Sequence, residues 1–98
     1  MVILMIQHPV PDWNVWKSVF DSDPVGRQQH GVTRYWVYRD VEDPNYVVYS
    51  LEFSTVEHAD AFRNQPRLRE AQSRYRAKDP QARVLEEVES VRTEGPGT

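Results

Sequence analysis

Two runs of bulky side chains, joined by a short turn, constrain this chain more than any other feature. VTRYWVYRD (residues 32–40) and YVVYSLEF (residues 46–53) are dense in β-branched and aromatic residues, and VEDPN between them supplies turn chemistry. The pattern predicts a β-hairpin. Because large side chains occupy almost every position of both strands, neither face suits water. A chain of 98 residues must therefore cover both faces with its own helices or with a partner.

The N-terminal segment predicts a strand followed by a helix. Residues 2–8 form an almost continuous apolar run of strand length, which indicates a central strand buried on both faces. Pro9 and Pro11 end this strand because neither can donate a hydrogen bond to a sheet. Asp12 is well placed to cap the helix that follows. Its aromatic residues recur at helical spacing and predict a packed wall: Trp13, Trp16 and Phe20.

A second helical region follows the hairpin. Ser54 or Thr55 can cap it, and Pro66 breaks it and opens a further helix to about Lys78. One face of that last helix continues through Leu68, Ala71, Gln72 and Tyr75. A final strand is expected at about residues 82–91.

The order strand, helix, strand, strand, helix, strand predicts an α+β, ferredoxin-like βαββαβ fold. Right-handed crossovers place the four antiparallel strands in the order 4-1-3-2 with both helices on one face. A symmetric partner that lays its own sheet over the other face would complete a homodimeric α+β barrel. We expect one domain over residues 1–91 and a disordered polar tail over residues 92–98.

Composition and spacing argue against several classes of function. The net charge of −3, with both signs interspersed, provides no basic stripe for nucleic acid. MVILMI is too short to span a membrane. The histidines at positions 8, 30 and 58 lack metal-ligand spacing, and there is no glycine-rich phosphate loop. We therefore expect no metal, no cofactor, no nucleic acid and no membrane partner; the absence of cysteine is compatible with the cytoplasm.

His8 is the candidate base. Strand alternation places it on the face of Leu4 and Ile6, at the wide end of an apolar cavity. Antiparallel order then brings it near Tyr38 and Tyr49, which we predict as its companions, and leaves Glu52 at the opposite end. A histidine with an ordinary pKa near 6.5 can take a proton from a phenol, an enol or an acidic carbon. The alternative is a histidine hydrogen-bonded to a backbone carbonyl.

Two further residues of the hairpin are candidate ligand contacts. Trp36 lies on a strand without helical periodicity, so it either faces the cavity, where it could stack on an aromatic ligand, or points away from it. Arg34 would be costly to bury unpaired. It therefore needs a ligand oxygen, a route to solvent, or a carboxylate, for example in a salt bridge across the dimer.

Several segments of the chain resemble the small dimeric α+β barrels related to the antibiotic biosynthesis monooxygenases. They are the strand-end histidine, DWNVWKSVFD, GVTRYWVYRDVEDPN, YVVYSLEFST and FRNQPRLREA. This resemblance implies a cofactor-independent monooxygenase of polyketide-type metabolism that acts on a phenolic or polycyclic substrate. It equally implies a cofactor-free cyclase or isomerase using the same base, or a non-catalytic dimer that binds a ligand or supports another protein. Haem degradation is disfavoured, because His8 and Phe53 stand where haem-degrading members have an asparagine and a tryptophan.

The resulting hypothesis assigns a role to each candidate residue. His8 and Tyr38 are the predicted catalytic residues. The predicted ligand contacts are Arg34, Trp36, Tyr49 and Phe53.

Overall fold

The computed structural model describes residues 1–96. The elements follow the order β1 (Val2–Pro9), α1 (Trp13–Asp21), β2 (Arg34–Arg39), β3 (Tyr46–Phe53), α2 (Val56–Arg63), α3 (Pro66–Arg74) and β4 (Gln81–Glu86). The sheet order β2-β3-β1-β4 is the predicted 4-1-3-2 order viewed from the other edge. The predicted ferredoxin-like α+β fold is confirmed. Within the described residues, no helix is long and apolar enough to cross a membrane.

The register of β1 decides which side chains lie beneath the helices. Its antiparallel partner β3 places His8 opposite Val47 and Ile3 opposite Glu52, so His8 and Glu52 lie at opposite ends, as predicted. Leu4, Ile6 and His8 are no more than 1% exposed. Alternation along the strand therefore sends this set to the helix side of the sheet.

The other face of the sheet has no covering element among residues 1–96. Here the register joins Trp36 to Ser50 and Tyr38 to Val48. Tyr38 is 53% exposed and Leu85 is 38% exposed, while Trp36 and Val48 are half-buried. We call this the open face.

Local chemistry places most element ends where the sequence predicts them. Asp12 caps α1 by accepting a hydrogen bond from Asn14 N at 2.8 Å, and Thr55 caps α2. Pro66 opens α3, as predicted. A short 3-10 turn, Gln28–His30, ends at Gly31, whose φ of 93° is the left-handed conformation that favours glycine at this position.

The C-terminal elements are shorter than predicted. Helix α3 ends at Arg74 rather than near Lys78, because Arg76 adopts a positive φ of 56° that a helix cannot continue. Strand β4 ends at Glu86, opposite Val2, because β1 offers no partner beyond that residue. Residues 92–96 of the predicted disordered tail form neither helix nor strand; residues 97 and 98 lie outside the described residues.

Replacing Asp12 with alanine should destabilise the fold, since the backbone N–H of Asn14 in the first turn of α1 loses the side-chain acceptor that it bonds at 2.8 Å. We expect a loss of about 1 kcal/mol in the free energy of unfolding, measured by urea denaturation with tryptophan fluorescence. Asp21→Ala is the matched control. It removes an exposed ion pair with Lys17 at the C-terminal end of the same helix and should cost less than about 0.5 kcal/mol. Equal losses in both variants would contradict the capping role.

Candidate active site

His8 is buried with one of its two ring nitrogens engaged. Its side chain is 1% exposed, and Nδ1 lies 3.2 Å from the carbonyl oxygen of Pro9. A carbonyl oxygen only accepts hydrogen bonds, so Nδ1 carries the proton of the neutral ring. Nε2 is then a bare acceptor, and no donor among the described residues reaches it. The backbone bond of the alternative hypothesis is therefore present at Nδ1, and it leaves Nε2 without a partner among the described residues.

Burial also keeps the His8 ring neutral. Loss of hydration lowers the pKa of His8 below its ordinary value of 6.5, and the bond to the Pro9 carbonyl opposes this only in part. At neutral pH the imidazole is uncharged. It is able to accept a proton at Nε2.

Two aromatic residues contact this imidazole, and a third contacts both of them. The ring of Tyr75 stacks on His8 with centroids 5.5 Å apart, and Tyr49 meets His8 edge-on at 5.9 Å. Trp16 contacts both tyrosines, at 5.4 Å from Tyr49 and 6.2 Å from Tyr75. We call His8, Trp16, Tyr49 and Tyr75 the aromatic cluster. Elements β1, α1, β3 and the end of α3 each contribute one member.

The cluster contains a second unpaired polar atom. Trp16 is fully buried, and its Nε1 meets no acceptor at hydrogen-bond distance in the described part of the chain. The Trp16 indole lies near enough to the Tyr75 hydroxyl to lower the pKa of Tyr75, although Nε1 and the hydroxyl do not form a hydrogen bond. An unpaired buried donor costs roughly 1–3 kcal/mol, so this N–H and the free Nε2 of His8 would both gain from a polar ligand.

The two tyrosine hydroxyls pair with each other. Their oxygens are 3.3 Å apart. Burial raises the pKa of Tyr49 well above its ordinary value, and the adjacent Tyr75 raises it further; burial also raises the pKa of Tyr75. Both phenols therefore stay protonated and act as hydrogen-bond donors rather than bases.

A small apolar cavity adjoins the cluster. Its volume is about 30 Å³, close to the share of one water molecule in the liquid. Tyr49 and Tyr75 form part of its wall, whereas His8 and Trp16 lie behind them. The other wall residues are Val19, Phe20, Asp23, Pro24, Val25, Arg27, Leu51, Phe62, Leu68 and Ala71.

The predicted grouping of Tyr38 with His8 is wrong. Tyr38 pairs with Val48, whose side chain points to the open face, whereas Tyr49 is buried on the helix side. The prediction placed Tyr38 and Tyr49 on one face, but the register of the hairpin is offset from that by one residue. A shift of one residue moves a strand side chain to the opposite face.

The same offset moves two predicted ligand contacts away from the cavity. Arg34 and Trp36 lie on the open face with Tyr38, and the Arg34 guanidinium carbon is 4.6 Å from the Trp36 ring centroid. Phe53 is on the helix side but at the far end, where it packs on Phe62 at 5.6 Å. Tyr49 is the predicted residue that the structure brings to His8.

Two cluster residues were not predicted as site residues. The sequence predicts Trp16 as part of the packed aromatic wall of α1, and the structure confirms that packing. It predicts Tyr75 on one face of a helix and gives it no role in a site. The signal for Tyr75 is its spacing: Leu68, Ala71 and Tyr75 follow the i, i+3, i+7 pattern of a buried face. Over residues 1–96, no group of three or more metal-binding side chains comes together.

The lowered pKa of His8 makes stability depend on pH. Below about pH 6.5, His8 is protonated in the unfolded chain but stays neutral in the folded chain. The free energy of unfolding therefore has its full value above that pH and falls as the pH drops below it. We expect the wild type to lose up to about 1.4 kcal/mol more per pH unit than His8→Gln between about pH 6.5 and 5. Urea denaturation at several pH values measures this. Parallel pH profiles, or a His8 NMR titration midpoint above 6.5, would contradict the assignment.

Comparison with protein-family models and with curated proteins finds no match for this chain. Solved structures do match it over most of its length. A Deinococcus radiodurans protein assigned to the antibiotic biosynthesis monooxygenases is 15% identical, with a TM-score of 0.75, over 97% of this chain and 100% of that one. SnoaB, a cofactor-independent oxygenase from Streptomyces nogalater, is 14% identical, with a TM-score of 0.76, over 92% and 95%.

A third match, from Nitrosomonas europaea and also assigned to the antibiotic biosynthesis monooxygenases, is 13% identical with a TM-score of 0.71. It covers 91% of this chain and 100% of its own. The chain therefore has the fold of the antibiotic biosynthesis monooxygenase-like proteins.

Proposed function

We propose that this chain is a cofactor-independent oxygenase of phenolic or polycyclic metabolites, with His8 as its base. The observation that carries the proposal is the pair of unpaired buried atoms, Nε2 of His8 and Nε1 of Trp16, in one aromatic cluster. One accepts a proton and the other donates a hydrogen bond. A phenol or enol offers the complementary pair, an acidic O–H and an oxygen that becomes negatively charged.

The cluster would favour the ionised substrate over the neutral one. Nε2 takes the substrate proton, and the indole N–H of Trp16 and the phenol of Tyr75 donate to the oxyanion that results. Such donors act strongly because the surrounding side chains exclude water. Tyr49 holds the Tyr75 hydroxyl in place through the 3.3 Å contact between their oxygens.

The electron-rich anion then reacts with O₂ itself. For a ring CH₂ conjugated to a phenol, two hydrogen atoms leave the carbon and one oxygen atom is added to it as a carbonyl. The second oxygen atom leaves with those two hydrogens as water. Atoms and electrons balance without an external reductant. The cofactor-independent oxygenase SnoaB among the structural neighbours supports this kind of reaction. A chain without cysteine suits the reducing cytoplasm, where we place the activity.

Substrate access requires side chains to move. The cavity of about 30 Å³ holds no ring system, and Tyr75 lies stacked against His8. Tyr75 directly follows α3, and the next residue, Arg76, leaves the helix with a positive φ. Rotation of the Tyr75 ring away from His8 would join the cavity to Nε2.

Oxygen consumption with anthrone, a ring ketone that tautomerises to a phenol, tests the proposal. We expect oxygen uptake and formation of the quinone in air, and a loss of about 10²-fold or more in His8→Gln, the size typical of a removed general base. His30→Gln is the matched control, because His30 lies outside the aromatic cluster, does not line the apolar cavity and is bonded to Gly26 O at 2.8 Å. Unchanged turnover in His8→Gln would remove the proposed base.

The same assay separates the alternatives. A cyclase or isomerase would use Nε2 to remove a carbon-bound proton and would turn over a suitable substrate under argon. The water-sized cavity favours a second candidate, a non-catalytic dimer whose interior is filled by its own side chains. If the protein is such a non-catalytic dimer, the wild type should neither take up oxygen nor bind anthrone.

We also propose that a second copy of the chain covers the open face, forming the homodimeric barrel. A hollow of about 570 Å³ on this face is lined by apolar side chains and by acids at the end of β4 and just after it. Arg34 lies at the opposite edge, on β2. A twofold axis along the strands would bring Arg34 of one copy over Glu86, Glu87 and Glu89 of the other, so the charges are complementary.

Sedimentation analysis measures the predicted dimer. We expect a mass twice that of the 11.5 kDa chain at micromolar concentration and a shift toward the monomer in Trp36→Glu, because a carboxylate would be buried in the contact. Val41→Glu is the control, since Val41 lies in the hairpin turn and is 97% exposed. A monomeric wild type would exclude the proposed partner.

A further inference from the structure

Arg27 lies at the junction of two cavities. The apolar cavity beside the aromatic cluster and an open groove of about 810 Å³ share two wall residues, Asp23 and Arg27. The remaining groove residues come from the chain leading into β2: Gln28, Gly31, Val32, Thr33, Arg34 and Tyr35. The Arg27 side chain thus separates the interior from the surface.

Aromatic faces and one backbone bond hold the guanidinium there. Its central carbon is 4.0 Å from the Phe20 ring centroid and 4.7 Å from that of Tyr35. Nη1 donates to the Phe20 carbonyl oxygen at 2.8 Å. The side chain is 15% exposed, so a full positive charge lies mostly out of water at the mouth of an apolar cavity.

The neighbouring carboxylate only partly balances this charge. Asp23 Oδ1 accepts the backbone N–H of Arg27 at 2.9 Å, while its contact with Nη1 is long, at 3.6 Å. A guanidinium has five N–H donors in a planar fork. In the described structure one of them reaches an acceptor at hydrogen-bond distance, the Phe20 carbonyl. The fork therefore keeps donors for a further planar anion.

We propose that Arg27 binds the carboxylate of an aromatic acid whose rings enter the apolar cavity behind it. This inference rests on the proposed function and narrows its substrate class to acids whose carboxylate lies at the end remote from His8. Arginine pairs with carboxylates through two parallel hydrogen bonds and stacks on rings, and Phe20 and Tyr35 already provide the ring contacts. Among the residues lining the apolar cavity, Arg27 is the one cation.

A ligand can pass Arg27 into the apolar cavity only if the loop before Arg27 moves. Asp23 and Gly26 both have positive φ, of 54° and 78°, and they flank Pro24 and Val25 in the cavity wall. Aspartate adopts the left-handed backbone more readily than most residues because its short side chain can accept a local hydrogen bond, and here Asp23 Oδ1 accepts the backbone N–H of Arg27. A ligand carboxylate would replace the long Asp23 contact, and Asp23, which is 38% exposed, would turn to solvent.

Calorimetric binding of 2-naphthoic acid and of its methyl ester tests the proposal without turnover. At about pH 7.5 we expect the wild type to bind the acid at least about tenfold more tightly than the ester, as charge-assisted pairing predicts. Arg27→Met should abolish that preference, and Arg27→Lys should keep part of it. Arg39→Met is the matched control, because Arg39 lies over the Trp13 ring at 4.8 Å and lines neither the apolar cavity nor the open groove, and it should leave the preference intact.

A measurement on the wild type alone guards against misfolding of the variants. Raising NaCl from about 50 mM to about 500 mM should weaken binding of the acid and leave the ester unchanged, because salt screens the ion pair. Equal affinity for acid and ester, a preference that survives in Arg27→Met, or no binding of either ligand overturns the inference. If the acid preference is present but oxygen uptake is absent, the proposed oxygenase activity fails and the assignment of Arg27 stands.

Discussion

β1 lies between β3 and β4, and its pairing with both strands determines what the helices bury. The register that sets Leu4 opposite Leu51 also sends His8 beneath α1 and α3. A titratable ring at that depth loses most of its hydration, so it is held neutral and bonded through Nδ1 to the adjacent carbonyl. The remaining nitrogen has no partner among the described residues, and the chemistry proposed for the molecule depends on that nitrogen.

The two faces of the sheet differ in how they are covered. The helix side is closed by aliphatic and aromatic packing, to the point that the cavity left is the size of one water molecule. The open face displays Trp36 and Tyr38, and nothing within residues 1–96 lies over it. The apolar strands of the hairpin leave large side chains on this face, and the homodimer that we propose would cover them.

Access to the interior has two candidate points, and each is controlled by a different kind of contact. Tyr75 separates the cavity from His8 through ring stacking. Arg27 separates the cavity from the surface through its contacts with Phe20 and Tyr35. The stacked rings and the mostly buried Arg27 cation can each exchange their present contacts for similar contacts with a ligand, so opening need not disrupt the sheet.

Local patterns in the sequence determined the elements, their order, the cap of α1 and the sheet topology, because hydrophobic periodicity, proline and capping residues act over a few neighbouring positions. They also placed His8 at the buried end of β1 opposite the start of β3. Tertiary structure alone decided which hairpin residues share a face with His8. Pairing register is set by the contacts of whole strands, and an error of one residue moves Tyr38, Trp36 and Arg34 to the open face. Tertiary structure also decided that Tyr75 and Arg27 border the same cavity. The two residues are far apart in the sequence, and packing brings them together, which local sequence patterns do not predict.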